Sequence, residues 1–132
     1  MRRGAFWICL CLAAAMAADG DRAGRYAGEW KSEASGNGGA IHFTLSGGSG
    51  SAWKCDLMFT LDGADVKTTM RDVKVQDTKV DFTYDFDVQG TIVQSHVTGE
   101  WNGTAFRGKY QSGLPDGSQT VDAGTWSAER AK

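Results

Sequence analysis

The sequence predicts an all-β protein, an eight-stranded antiparallel up-and-down meander closed into a barrel, and three observations carry that prediction. Apolar and polar residues alternate in segment after segment beyond Tyr26, where no helical periodicity is visible. Turn signals recur at near-constant intervals: Gly63, Asp77, Gly90, Gly103 and Gly117 lie 14, 13, 13 and 14 residues apart, one strand plus one tight turn each time. Connections that short force neighbouring strands to run antiparallel. Length and composition agree, because 132 residues make one domain, and 18 glycines with one proline and 23% charged residues describe a turn-rich chain that is neither collagen-like nor disordered. A meander with one apolar face closes most simply into a barrel. A two-sheet sandwich is the alternative, but it usually needs a longer crossover than the loops at 35–39 and 47–51 provide.

The chain begins with Met1-Arg2-Arg3, followed by an uncharged apolar run of thirteen residues from Ala5 that ends in Ala15-Met16-Ala17. This is the layout of an export signal at 1–17, and it is too short for a membrane helix, which needs about 20 residues. Cleavage is expected after Ala17, with Ala18 the next candidate. Residues 18–25 then form a flexible arm and 26–130 the barrel. Cleavage removes Cys9 and Cys11, so Cys55 is the one thiol left and no intramolecular disulfide can form. Leu10, standing before Cys11, argues against a lipid-anchor site. The remaining 115 residues carry 12 basic and 16 acidic side chains, a net charge of −4. That balance lacks the basic field a nucleic acid requires. A secreted or periplasmic monomer with no membrane span after signal removal is expected.

Strands are predicted at 28–34, 40–46, 53–61, 66–75, 79–88, 91–101, 105–111 and 121–130. The clearest is 79–88, in which Val80, Phe82, Tyr84, Phe86 and Val88 share one surface while Lys79, Asp81, Thr83, Asp85 and Asp87 share the other. In 66–75 the phase breaks: Val66, Thr68 and Met70 sit on one parity, Val73 and Val75 on the other, which predicts a bulge near Arg71-Asp72. Asn102-Gly103 is expected to form a two-residue type I′ hairpin, and Asn102-Gly103-Thr104 also fits the glycosylation acceptor pattern.

All twelve aromatic residues beyond the leader fall in the inward phase, interleaved with small residues such as Gly28, Ser32, Cys55, Ser95, Gly99, Gly108 and Gly124. An eight-stranded barrel is just wide enough either to be filled by side chains or to hold one small ligand. The number of aromatics favours the filled interior. Polar atoms on that face need partners. Ser32, Trp53, Thr68, Tyr84, Ser95, Tyr110 and Trp126 either satisfy one another or orient a ligand, and they are the candidate ligand-binding residues.

At Gly28-Glu29-Trp30, opening the first barrel strand, and Gly124-Thr125-Trp126-Ser127-Ala128-Glu129-Arg130, in the last, the chain resembles the calycin group, the lipocalins and avidins. The resemblance implies that Trp30 closes one end of the barrel and that Arg130 packs across it. No biotin-binding pattern aligns. The nearer likeness is to small exported bacterial domains with the same two motifs and repeated turn glycines, whose role is uncharacterised.

Catalytic chemistry needs convergent groups, and the titratable residues here are scattered over outward positions. His42 and His96 fall on non-adjacent strands, which argues against a shared metal site. Asp81, Asp85 and Asp87 line one outer face, where Lys67, Thr69 and Arg71 on one side and Gln94, His96 and Thr98 on the other are the simplest partners. Cys55 has no His or Lys on its face to lower its pKa and reads as a small buried apolar residue. No P-loop, nucleotide-binding glycine pattern, nucleophile elbow or Cys-x-x-Cys is present. No catalytic residue, metal or cofactor is therefore expected. The resulting expectation is an exported non-enzymatic barrel whose specific role the sequence does not reveal, with a small apolar ligand in the barrel as one candidate function. Its alternative is a protein-interaction module, an inhibitor or envelope accessory protein, with a filled core.

Overall fold

The computed structural model describes residues 22–48 and 51–131. The expected export signal at 1–17 and arm residues 18–21 lie outside the described residues. Among the described residues nine strands form one antiparallel sheet: β1 Gly24–Ser32, β2 Gly38–Gly48, β3 Ser51–Leu61, β4 Ala64–Lys67, β5 Thr69–Gln76, β6 Lys79–Val88, β7 Thr91–Trp101, β8 Ala105–Gly113 and β9 Thr120–Arg130. Their spatial order is β4-β3-β2-β1-β9-β8-β7-β6-β5. The first and last strands of that order are separated in the chain by Thr68 alone, so the sheet curls into a nearly closed barrel.

The difference between eight strands and nine lies at Thr68. The predicted fourth strand is present as β4, paired with β3, and β5, paired with β6. The Thr68 hydroxyl donates to the Leu57 carbonyl at 2.6 Å, holding the break against β3. The bulge expected near Arg71-Asp72 is present, as the β5–β6 register shifts between Met70 and Asp72. Asp62-Gly63 and Gln89-Gly90 have positive φ at both residues, 52° and 80° in the first, 52° and 90° in the second. Both tight hairpins of the type I′ class therefore stand where the glycine spacing puts them.

Two boundaries are corrected. Gly24 and Arg25, assigned to the arm, belong to β1 and pair with Leu45 and Thr44. Asn102-Gly103 is not a two-residue type I′ turn, because only Gly103 has positive φ. Instead the Asn102 side-chain oxygen accepts from the backbone N–H groups of Thr104 and Ala105, at 3.0 and 2.9 Å, and shapes a longer connection. An Asn side chain that satisfies the backbone ahead of it replaces the conformation the Asn-Gly pair otherwise favours.

The barrel has two unlike ends. The end that holds the start of β1 and the finish of β9 is filled. Tyr26, Phe43, Phe82 and Phe106 are each 2% exposed or less. Tyr26 stacks on Phe43 at 5.0 Å and meets Phe106 edge-on at 5.1 Å, while Phe43 meets Phe82 at 5.5 Å. Rings in these offset and edge geometries add about 0.5–1.5 kcal/mol per pair to their area burial. The Arg130 guanidinium lies over Tyr26 and Trp101, at 5.3 and 5.7 Å from their ring centres, and donates to the Ala23 carbonyl at 3.0 Å. This corrects the expected pairing of Arg130 with Trp30. Tyr26 is opposite Arg130 in the β1–β9 register, whereas Trp30 is opposite Trp126, four residues further along β1.

Candidate functional site

The other end, where β1, β3, β6 and β8 finish and β2, β4, β7 and β9 begin, opens into a cavity of about 360 Å³. Its presence follows from side-chain size. At the filled end the glycines are taken up by close packing: a Cβ on Gly99 would stand 2.5 Å from the Trp126 ring. Toward the open end Tyr110 of β8 reaches the Trp30 ring, but the other inward residues there on β7, β8 and β9 include Val93, Ser95, Ser112 and Asp122, too small to fill the space in front of the rings of β1, β3 and β6. The filled reading and the hollow reading of the interior are both realised, one at each end.

The walls are largely apolar, with Trp30, Phe59, Tyr84, Phe86, Val97 and Trp126 prominent. Trp30 meets Phe59 and Tyr110 edge-on, at 6.2 and 5.9 Å. Its indole N–H donates to the Thr60 carbonyl, and that of Trp126 donates to the Thr98 carbonyl, both at 3.0 Å. Both indole donors are thus engaged by backbone, and the two tryptophans offer the cavity their rings.

Register concentrates the polar groups. Tyr84 is opposite Ser95, Ser95 opposite Ser112, and Ser112 opposite Asp122, so the four stand in one row across β6, β7, β8 and β9. The Ser95 and Ser112 hydroxyls bond to each other at 2.5 Å. Asp122 accepts from the Ser32 hydroxyl at 2.6 Å on one oxygen and from the Tyr110 hydroxyl at 2.8 Å on the other. Burial pushes the Tyr84 phenol up to about 12; the Ser95 hydroxyl lowers it less, and Cys55 adds a smaller rise. Burial, then the hydrogen bond and negative charge of Asp122, likewise push Tyr110 well above its ordinary value. Both phenols are therefore neutral hydroxyls at physiological pH.

Of the seven candidate residues, Tyr84, Ser95, Tyr110 and Trp126 line the cavity. Ser32 is 3% exposed and acts one bond behind the wall, through Asp122. Trp53 and Thr68 are not among the lining residues. Trp53 lies near the start of β3, toward the filled end, and packs against the core there. The Thr68 hydroxyl is engaged at the strand break. Asp122 and Ser112 were not anticipated. Asp122 shares parity with Trp126 and Ala128, and Ser112 with Tyr110, so alternation carried to the strand ends identifies both.

No family model, curated protein or solved structure matches the chain. Any assignment of function therefore rests on the chemistry of the site.

Outside the cavity several acidic side chains are paired on the outer side of the sheet. Asp85, 9% exposed, accepts from Arg71 at 2.7 Å and from Gln94 at 2.9 Å. Burial raises its pKa, but these bonds and the guanidinium charge outweigh that and leave it below the ordinary carboxylate value. His96 bonds to Asp81 at 2.8 Å, and Asp87 caps the turn by accepting from the Gly90 N–H at 2.7 Å. Cys55 is buried, and desolvation, with a smaller push from Asp56, raises its thiol to about 12. Among the described residues there is no cluster of three His, Cys, Asp or Glu placed to hold a metal ion, and no helix long and apolar enough to cross a membrane.

Proposed function

We propose that this chain is an exported, non-enzymatic, calycin-like cup that binds one small, mostly apolar molecule through the open end of its barrel. The observation that carries the reading is the cavity itself. Its volume of about 360 Å³ lies within the range of roughly 300–1,000 Å³ typical of small-molecule sites. Its lining has the usual character of such sites, aromatic and aliphatic walls with a few polar groups converging on one side. The export signal read in residues 1–17 supports a role outside the cytoplasm.

The test is native mass spectrometry on protein recovered from the exported fraction, followed by titration with a neutral naphthyl fluorophore read through tryptophan emission. A co-purifying small mass, or saturable one-to-one binding that Val93→Phe weakens, is the expected result, since Val93 lines the cavity. Absence of both a bound mass and saturable binding overturns the proposal. The alternative, a protein-interaction module, is supported by the exposed Ile92 and Val121, 44% and 52% accessible near the starts of β7 and β9. It predicts a reproducible protein partner lost when both are changed to Ser.

A further inference from the structure

Asp122 gives the cavity a chemical direction. Among the described residues it is the one carboxylate in the lining, to which no described Lys, Arg or His contributes. The ion pairs found among the described residues, Arg71–Asp85, Lys74–Asp72 and His96–Asp81, all lie elsewhere. A half-buried carboxylate with low-dielectric walls around it focuses a negative potential into the cavity that no described side chain compensates.

Hydrogen-bonding capacity points the same way. An ionised carboxylate has about four acceptor positions. The Ser32 and Tyr110 hydroxyls occupy two, one on each oxygen, and so fix its orientation. Most donors nearby are engaged: Ser32 and Tyr110 with Asp122, one of the Ser95 and Ser112 hydroxyls with the other, and both indole N–H groups with backbone carbonyls, which leaves the second serine hydroxyl and the Tyr84 hydroxyl as the neutral donors of the row. Unused capacity at this row is therefore mainly acceptor capacity. An incoming acid or phosphate meets like charge and few donors, whereas a donor group meets a positioned acceptor. The remaining surface is ring faces and edges from Trp30, Phe59, Tyr84, Phe86 and Trp126, and aromatic faces attract cations.

We infer that the bound molecule carries a protonated amine on a compact apolar body, with Asp122 receiving the ammonium group and the aromatic walls receiving the body. The inference rests on the binding function proposed above and specifies its ligand class. The volume holds about a dozen water-sized groups, enough for one or two fused rings with a short amine arm.

Three matched probes test it: naphthylethylamine, its neutral isostere naphthylethanol, and the anion naphthylacetate, titrated at neutral pH by calorimetry and tryptophan emission. The expected result in the unmodified protein is that the amine binds at least about tenfold tighter than the alcohol, the ratio a charge-assisted hydrogen bond supplies, and that the acid binds weakest. In Asp122→Asn the amine falls to the level of the alcohol while the alcohol is unchanged. In Tyr110→Phe, which keeps the carboxylate, the amine preference persists. Equal binding of amine and alcohol by the unmodified protein overturns the ligand class and leaves the cup standing, whether or not Asp122→Asn folds. Failure of the amine, the alcohol and the neutral fluorophore alike overturns the cup as well.

Discussion

Replacing Trp30 by Ala distinguishes the structure from the motif likeness in the sequence. If Trp30 plugged a barrel end, its removal would cost the full amount for a buried Trp, about 3–5 kcal/mol. The structure places it instead on the cavity wall, half-buried, with two edge-on ring contacts and one indole hydrogen bond. Ring contacts contribute about 0.5–1.5 kcal/mol each and a hydrogen bond a net of about 0.5–1.5 kcal/mol. The space left by the ring joins a cavity already open at one end, so water can rehydrate the Thr60 carbonyl. With the hydrogen-bond part returned by rehydration, the two ring contacts set the expected loss at about 1–3 kcal/mol. Tyr26→Ala at the filled end should cost more, about 3–5 kcal/mol, because Tyr26 is 1% exposed and packs on Phe43, Trp101, Phe106 and Arg130. Urea unfolding followed by far-ultraviolet circular dichroism, with the slope unchanged, gives both values. A larger loss for Trp30→Ala than for Tyr26→Ala would refute the placement of the filled end at Tyr26.

Gly99→Val should destabilise by about 1–3 kcal/mol and shift tryptophan emission, because even the first added carbon would sit 2.5 Å from the Trp126 ring; an unchanged unfolding midpoint would contradict the packing. Cys55, buried with its thiol raised to about 12, should react with an aromatic disulfide reagent at pH 8 only as fast as the protein unfolds. Prompt labelling of the folded protein would contradict its burial. The folded-state pKa of Asp85 is depressed, so its stabilising contribution is fully present above the unfolded carboxylate value, near 3.9, and is lost as pH falls through the lower folded value. Acid titration of unfolding stability should accordingly show a smaller decline in Asp85→Asn than in the unmodified protein, and identical declines would remove Asp85 from that role.

Much of the fold was legible because its determinants are local. Strict alternation in 79–88 puts Val80, Phe82 and Tyr84 inside, and the glycine spacing sets the hairpins. The bulge after Met70 was readable because a single extra residue reverses which parity is apolar. What was not legible depends on partners distant in sequence. Nothing local distinguishes Thr68 as a ligand-facing hydroxyl from Thr68 as a donor to Leu57, because that choice depends on where β3 lies. The role given to Trp30 failed for the same reason: which aromatic lies under Arg130 depends on the β1–β9 register, and the register selects Tyr26. Asp122 is not legible as an inward residue from its type, because a carboxylate ordinarily faces water. Two hydroxyl donors, one 90 residues away and the other 12, make its inward position tenable.

The interruption at Thr68 also bears on how the tube would accommodate the ligand proposed above. A cylinder of staves bonded all the way round can widen only by sliding every stave against the next. Here the four-residue β4 is held to β3, and β5 to β6, with one residue bridging them, so among the described strands the seam between β4 and β5 is where no ladder closes the circumference. Under the binding function proposed above, ligands of somewhat different thickness would be admitted by opening that seam, with no remodelling of the remaining wall.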